Sequence, residues 1–151
     1  MNMKILIYGE YSGYGKSLAT GFRQLGYKAS VFSPRGDGWK EIDVDIKLQS
    51  KNKLFMLFEL LMLTPKFLKY DIVIMTNPEF FRLGFIGPYF LALFKLTRKK
   101  IFLLCCGHDV EYIRAGESGI IDRYPLNGIK KPRDNYFKGK CEKIIHHLCA
   151  M

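Results

Sequence analysis

From Met3 to Tyr8 the chain is apolar at every position but Lys4, and it then becomes glycine-studded at Gly9, Gly13 and Gly15. A continuous apolar run is the pattern of a parallel strand covered on both faces. Leu18, Phe22 and Leu25 follow at helical spacing, and Gly26 falls where a left-handed residue would end the helix. Ala29 to Ser33 read as a second strand. Beyond a polar loop, Val44, Ile46 and Leu48 alternate with Asp43, Asp45 and Lys47, the pattern of a short edge strand. Residues 51–68 predict a helix, Tyr70 to Thr76 a buried strand, Glu79 to Thr97 a helix kinked near Pro88, and Lys100 to Cys106 another buried strand. Strands alternating with helices define the α/β class: a Rossmann-like, doubly wound parallel sheet of about five strands in order 3-2-1-4-5, as one domain over residues 1–151. Gly107 to Lys138 read as long irregular structure at the C-terminal ends of the strands, and residues 139–149 as a closing helix.

Composition refines this frame. The chain has 151 residues, 48% of them hydrophobic, enough for one sizeable core. Lys and Arg number 24 against 14 Asp and Glu, so the surface attracts anions without choosing among them. The cations concentrate late, at Lys95, Arg98, Lys99 and Lys100, and again from Lys130 to Lys143. Met1 leads into a strand rather than a signal peptide, which places the expected location in the cytoplasm. Two greasy stretches, Leu54 to Leu63 and Leu83 to Phe94, fall short of the roughly 20 apolar residues a spanning helix needs. Burial on all sides is the favoured reading for them, and outer faces resting on the inner side of a membrane the alternative. Cys105, Cys106, Cys141 and Cys149 lack paired metal spacing. The tail Cys141, His146, His147 and Cys149 suits one side of a helix better than a zinc site, so no metal is expected.

Candidate chemistry sits in loops after the strands. The β-loop-α opening, Ser12, Gly13, Tyr14, Gly15 and Lys16, offers backbone N–H groups at a helix start, where the helix dipole favours an anion. Gly15, Lys16 and Ser17 supply the end of a P-loop, but Glu10 stands where its first glycine belongs; a dinucleotide fingerprint starting at Gly13 meets Leu18 where its third glycine belongs. Asn77 follows the fourth expected strand with a two-way amide. His108, just past the fifth, is a residue type able to act as general acid or base near neutral pH, with Asp109 beside it to orient the ring. Trp39, in a polar loop, offers either a cap on the core or a ring to stack against a sugar.

MKILIYGEYSG at 3–13, QLGY at 24–27, GDGW at 36–39, YDIVIMTNP at 70–78 and LLCCGHD at 103–109 together resemble the N-terminal, acceptor-side domain of a GT-B glycosyltransferase of the group-1 or family-4-like kind. The resemblance runs over essentially the whole chain. It implies transfer of sugar from a nucleotide-sugar substrate to a saccharide or lipid-linked acceptor in surface polysaccharide synthesis, without cofactor or metal. By the same resemblance Ser12 to Gly15 occupy the glycine-rich loop that faces the cleft between domains, Asn77 sits in the loop after the fourth strand, and His108 and Asp109 occupy the place of a cleft histidine or acidic residue. The family's donor-binding second domain, with its Glu, seven residues, Glu motif, has no counterpart here. The expectation is therefore half an enzyme, inactive alone, needing a donor-domain partner chain.

A different class of function fits the same features: a non-catalytic docking module that recruits a partner transferase to an anionic membrane surface. A nucleic-acid binder is motivated by charge alone, since no recognised module is visible, and no specific nucleic-acid partner is expected.

Overall fold

The computed structural model describes residues 3–34, 42–76, 86–104, 115 and 118–121. Its elements run β1 (Lys4–Tyr8), α1 (Tyr14–Gln24), β2 (Lys28–Phe32), α2 (Lys53–Phe67), β3 (Ile72–Met75), α3 (Ile86–Leu96) and β4 (Lys100–Leu103). The strands form a four-stranded parallel sheet in order β2-β1-β3-β4. This is the α/β, Rossmann-like arrangement expected, with four of the five expected strands among the described residues.

The expected third strand is reduced to a single parallel bridge from Ile46 to Phe32 at the outer edge of β2. The alternation there survives, with Ile46 and Leu48 buried and Asp43, Asp45 and Lys47 exposed. What interrupts the ladder is a side chain. The Val31 N–H donates to Asp45 Oδ2 at 2.7 Å, and Arg23 Nη2 donates to the same oxygen at 2.7 Å. The Ile46 N–H still reaches the Val31 carbonyl at 3.0 Å, and the Ser33 N–H the Ile46 carbonyl at 3.1 Å.

Strand β1 divides the core because successive side chains point to opposite faces. Ile5 and Ile7 join Ala19 of α1 with Ala29, Val31 and Ile74 on one face. Leu6 and Tyr8 join Phe32, Met56, Leu60, Phe67, Phe90 and Phe94 on the other, beneath α2 and α3. Through that second layer runs a file of edge-on rings, Tyr8 to Phe32 at 4.9 Å, Phe32 to Phe67 at 4.9 Å and Phe67 to Phe90 at 5.6 Å between centroids. Each such pair contributes about 0.5–1.5 kcal/mol beyond the area it buries. The file ties β1, β2, α2 and α3 into one body.

Helix ends follow local chemistry. Gly26 is left-handed as expected (φ 85°), and its N–H and that of Tyr27 return to the Arg23 and Phe22 carbonyls at 3.0 Å each. Leu25, expected on the apolar stripe of α1, instead stands at the C-cap, where the helix has already ended, and is 73% exposed. Asn52 caps α2 by accepting from the Leu54 N–H at 2.9 Å, and Glu59 reaches back to accept from the Gln49 and Ser50 N–H groups.

Two burial expectations are corrected. Helix α2 is not buried on all sides: Met56, Leu60 and Phe67 enter the core, while Leu54, Phe55, Phe58, Leu61 and Met62 are exposed. Strand β4 is only half covered, with Ile101 and Leu103 packed beneath α3 and Phe102 and Leu104 exposed. The region 105–114, with Cys105 and Cys106, the tail from residue 122, and Trp39 lie outside the described residues.

Burial pushes the Tyr8 phenol well above its ordinary pKa of 10.0. The native state therefore keeps it protonated where the unfolded chain ionises it. Its stabilising effect is complete below about pH 10 and declines as pH rises toward the elevated native value. Tyr8→Phe removes this component, so denaturant unfolding of the variant is expected to lose stability less steeply above pH 10, by up to about 1.4 kcal/mol per pH unit. Identical alkaline slopes in the two proteins would refute the assignment.

Candidate functional site

The sheet order makes the chain turn one way from β1 to β2 and the other way to β3. The crevice outside the C-terminal ends of β1 and β3 is the switch point where open α/β sheets take ligands. The loop after β1 lies there. The Gly9 N–H donates to the Phe32 carbonyl at 2.7 Å, while on the other side the Thr76 N–H donates to the Tyr8 carbonyl at 3.1 Å. Three residues then take left-handed or related positive-φ conformations, Gly9 at 107°, Ser12 at 52° and Gly13 at 88°. The tight path delivers Gly13 as the residue that starts α1.

Glu10 decides what this helix start can bind. It is only 1% exposed, and its carboxylate accepts from the Gly15 N–H at 3.3 Å and the Lys16 N–H at 2.8 Å. The protein thus supplies its own anion to the donors expected to cradle a phosphate. Gly15 is required by this closeness: a Cβ there would lie 2.7 Å from the Gly9 carbonyl oxygen and 3.1 Å from Glu10 Oε2. In sequence Glu10 figures as the residue that breaks the P-loop pattern. The available signal was a carboxylate placed just before a helix start.

The remaining loop groups face outward. Tyr11 and Tyr14 are half exposed, and Ser12 and Lys16 are exposed, so these side chains form a polar, aromatic rim over the buried carboxylate. Gly13 and Lys16 also line a shallow groove of about 510 Å³ that continues along α1 past Ser17, Thr20 and Gln24 to Ile42. The structure therefore brings Ser12, Gly13, Tyr14, Gly15 and Lys16 together, with Gly15 buried beneath the others. Asn77, His108 and Asp109 lie outside the described residues, as does the Cys141, His146, His147, Cys149 tail. Among the described residues no group of His, Cys, Asp or Glu could hold a metal ion, and no helix is long and apolar enough to cross a membrane.

No family model matches the chain, and no curated protein matches it. Among solved structures it is similar to the C-terminal catalytic domain of ISC1926 TnpA, an IS607-like serine recombinase, at 19% identity, covering 95% of this chain and 99% of that one with a TM-score of 0.33. The glycosyltransferase resemblance is not supported by any of these comparisons and is withdrawn: the solved structure named is a recombinase domain, and no family model or curated transferase matches. The sugar-transfer function, the transferase-docking alternative, the saccharide and donor-domain partners, and the exclusion of a specific nucleic-acid partner are withdrawn with it. At that TM-score no recombinase property is carried over to this chain.

The site's architecture yields a stability test. Glu10→Gln replaces one acceptor by a donor facing an N–H group, and is expected to destabilise the fold by about 1–3 kcal/mol. Gly15→Ala pushes a methyl against the Gly9 carbonyl and is expected to cost a similar amount. Denaturant midpoints unchanged from the parent in both variants would show that the carboxylate does not hold the loop.

Proposed function

We propose that this chain is a ligand-binding α/β domain whose site is the switch-point rim of Tyr11, Ser12, Tyr14 and Lys16. The observation that carries the reading is the internal carboxylate: with Glu10 satisfying the Gly15 and Lys16 N–H groups, a ligand is met by side chains rather than by the backbone. Those side chains suit a small molecule that combines a ring with an anionic group. A tyrosine face accepts the ring and the Lys16 ammonium the anion. A mononucleotide has this chemistry and serves as the probe. Titrating adenosine or uridine monophosphate into the whole chain should shift the amide NMR signals of the Tyr11–Lys16 loop. Lys16→Ala should weaken binding by about tenfold, and Tyr14→Ala by several-fold. Loop signals unmoved at millimolar nucleotide would reject the reading.

A second reading rests on α2. Leu54, Phe55, Phe58, Leu61 and Met62 expose a continuous apolar stripe on a helix bounded by Lys51 and Lys53 at one end and Lys66 and Lys69 at the other. Apolar side chains that enter the acyl boundary, with lysines reaching back to the surface, are the design of a helix lying on a membrane. In this reading the domain associates peripherally with a lipid surface. Phe58→Asp is expected to lower co-sedimentation with lipid vesicles at least tenfold while leaving the unfolding midpoint within about 1 °C. Equal sedimentation of variant and parent would dismiss it.

A further inference from the structure

At the opposite end of the sheet from the switch point, where the strands begin, positive charge is in excess among the described residues. Lys4 and Lys28 are cross-strand neighbours at the starts of β1 and β2, Lys69 precedes β3, and Arg98, Lys99 and Lys100 form the turn from α3 into β4. The ion pairs among the described residues, Arg23 with Asp45 and Lys47 with Asp43, involve none of these cations. Asp71 is the acidic residue at this end, and its Oδ2 accepts from the Lys4 backbone N–H at 2.8 Å.

A cavity of about 660 Å³ opens at this end, and its polar lining is Tyr27, Asp71, Thr97, Arg98, Lys99 and Lys100. The turn that builds it is unusual at one residue. Arg98 has φ 56° and occupies the left-handed position that glycine normally fills at a helix end. Its N–H returns to the Lys95 carbonyl and that of Lys99 to the Phe94 carbonyl, both at 2.9 Å. The Thr97 N–H and hydroxyl both donate to the Leu93 carbonyl, at 3.0 and 2.8 Å. The Leu93, Phe94 and Lys95 carbonyls near the end of α3 are thereby occupied. A guanidinium is thus held on left-handed backbone next to two further cations, in a cavity where Arg98, Lys99 and Lys100 face one described carboxylate, Asp71.

We infer that this cavity binds a phosphate group, with Arg98 as its bidentate donor and Lys99 and Lys100 as flanking charges. The site goes beyond the switch-point reading and does not depend on it. Its chemistry is a phosphate dianion, carried either by a soluble ligand or by a lipid headgroup. The strained backbone supplies a discriminating variant. Arg98→Gly relieves a left-handed non-glycine residue, so it is expected to raise the thermal midpoint by about 1–3 °C while weakening phosphate binding tenfold or more. A role confined to helix capping would give the stability gain alone.

The experiment titrates inorganic pyrophosphate into the whole chain by calorimetry, for the parent, Arg98→Gly and Lys100→Ala. Phosphatidylcholine vesicles with and without phosphatidic acid form a parallel arm. Parent binding that falls in both variants and weakens with added salt supports the site. Retention on phosphatidic acid vesicles, competed by pyrophosphate, assigns the phosphate to a lipid; binding of pyrophosphate without vesicle retention assigns it to a soluble ligand. Absence of binding in both arms, or equal affinity in parent and Arg98→Gly, overturns the proposal. Lys16→Ala, at the other end of the sheet, should leave pyrophosphate binding unchanged, which keeps this outcome separate from that of the switch-point reading.

Discussion

A buried carboxylate at the head of α1 is the constraint on which the described site depends. Glu10 leaves water almost completely and offsets that cost with hydrogen bonds to the Gly15 and Lys16 N–H groups. To reach them the chain must turn within a few residues, which brings in the positive φ angles of Gly9, Ser12 and Gly13 and the absence of a side chain at Gly15. The same bonds fix how α1 leaves β1, and hence how Ala19 meets Ile5 and Ile7 on that face of the sheet. A helix start that would ordinarily recruit an anion from solution has been given one covalently. Any ligand over it meets a surface of side chains.

The arrangement of strands was legible because burial on two faces leaves a plain signature. Ile5, Leu6, Ile7 and Tyr8 contain no polar interruption, and parallel pairing follows from the helix that must cross back between such strands. Where one face is uncovered, the same apolar signature misleads. Phe102 and Leu104 look like core residues in sequence, as do Leu54, Phe58 and Met62, yet each lies on a side of its element that nothing described covers. Hydrophobicity records the composition of a face and is silent about its neighbour. Residues 43–48 show the converse, since their alternation is that of a strand while the Asp45 side chain takes the ladder position a backbone carbonyl would have filled.

The candidate site was legible in location more than in chemistry. Ser12 to Lys16 stand out in the sequence by their glycines and their position after the first strand, and in the structure this loop lies at the switch point. The chemistry depended on which residue reached the helix start, and that is a question of through-space geometry that spacing could not answer. Arg98 is similar. In sequence it is one cation in a basic run, and its left-handed backbone becomes visible only once α3 is seen to end without a glycine at the closing position.

The clamp at the outer edge of β2 bears on how this domain behaves in a crowded solution. An edge strand ordinarily offers a row of unsatisfied donors and acceptors to any extended chain that drifts past. Here the Val31 N–H is held by Asp45, the Val31 carbonyl by Ile46 and the Ser33 N–H by the Ile46 carbonyl, with Arg23 anchoring Asp45 from α1. A stranger approaching this edge finds its hydrogen bonds already committed and a carboxylate and a guanidinium in its path. The segment 42–48 thus acts as a selvedge, finishing the sheet on that side against the strand-by-strand growth from which aggregates are built.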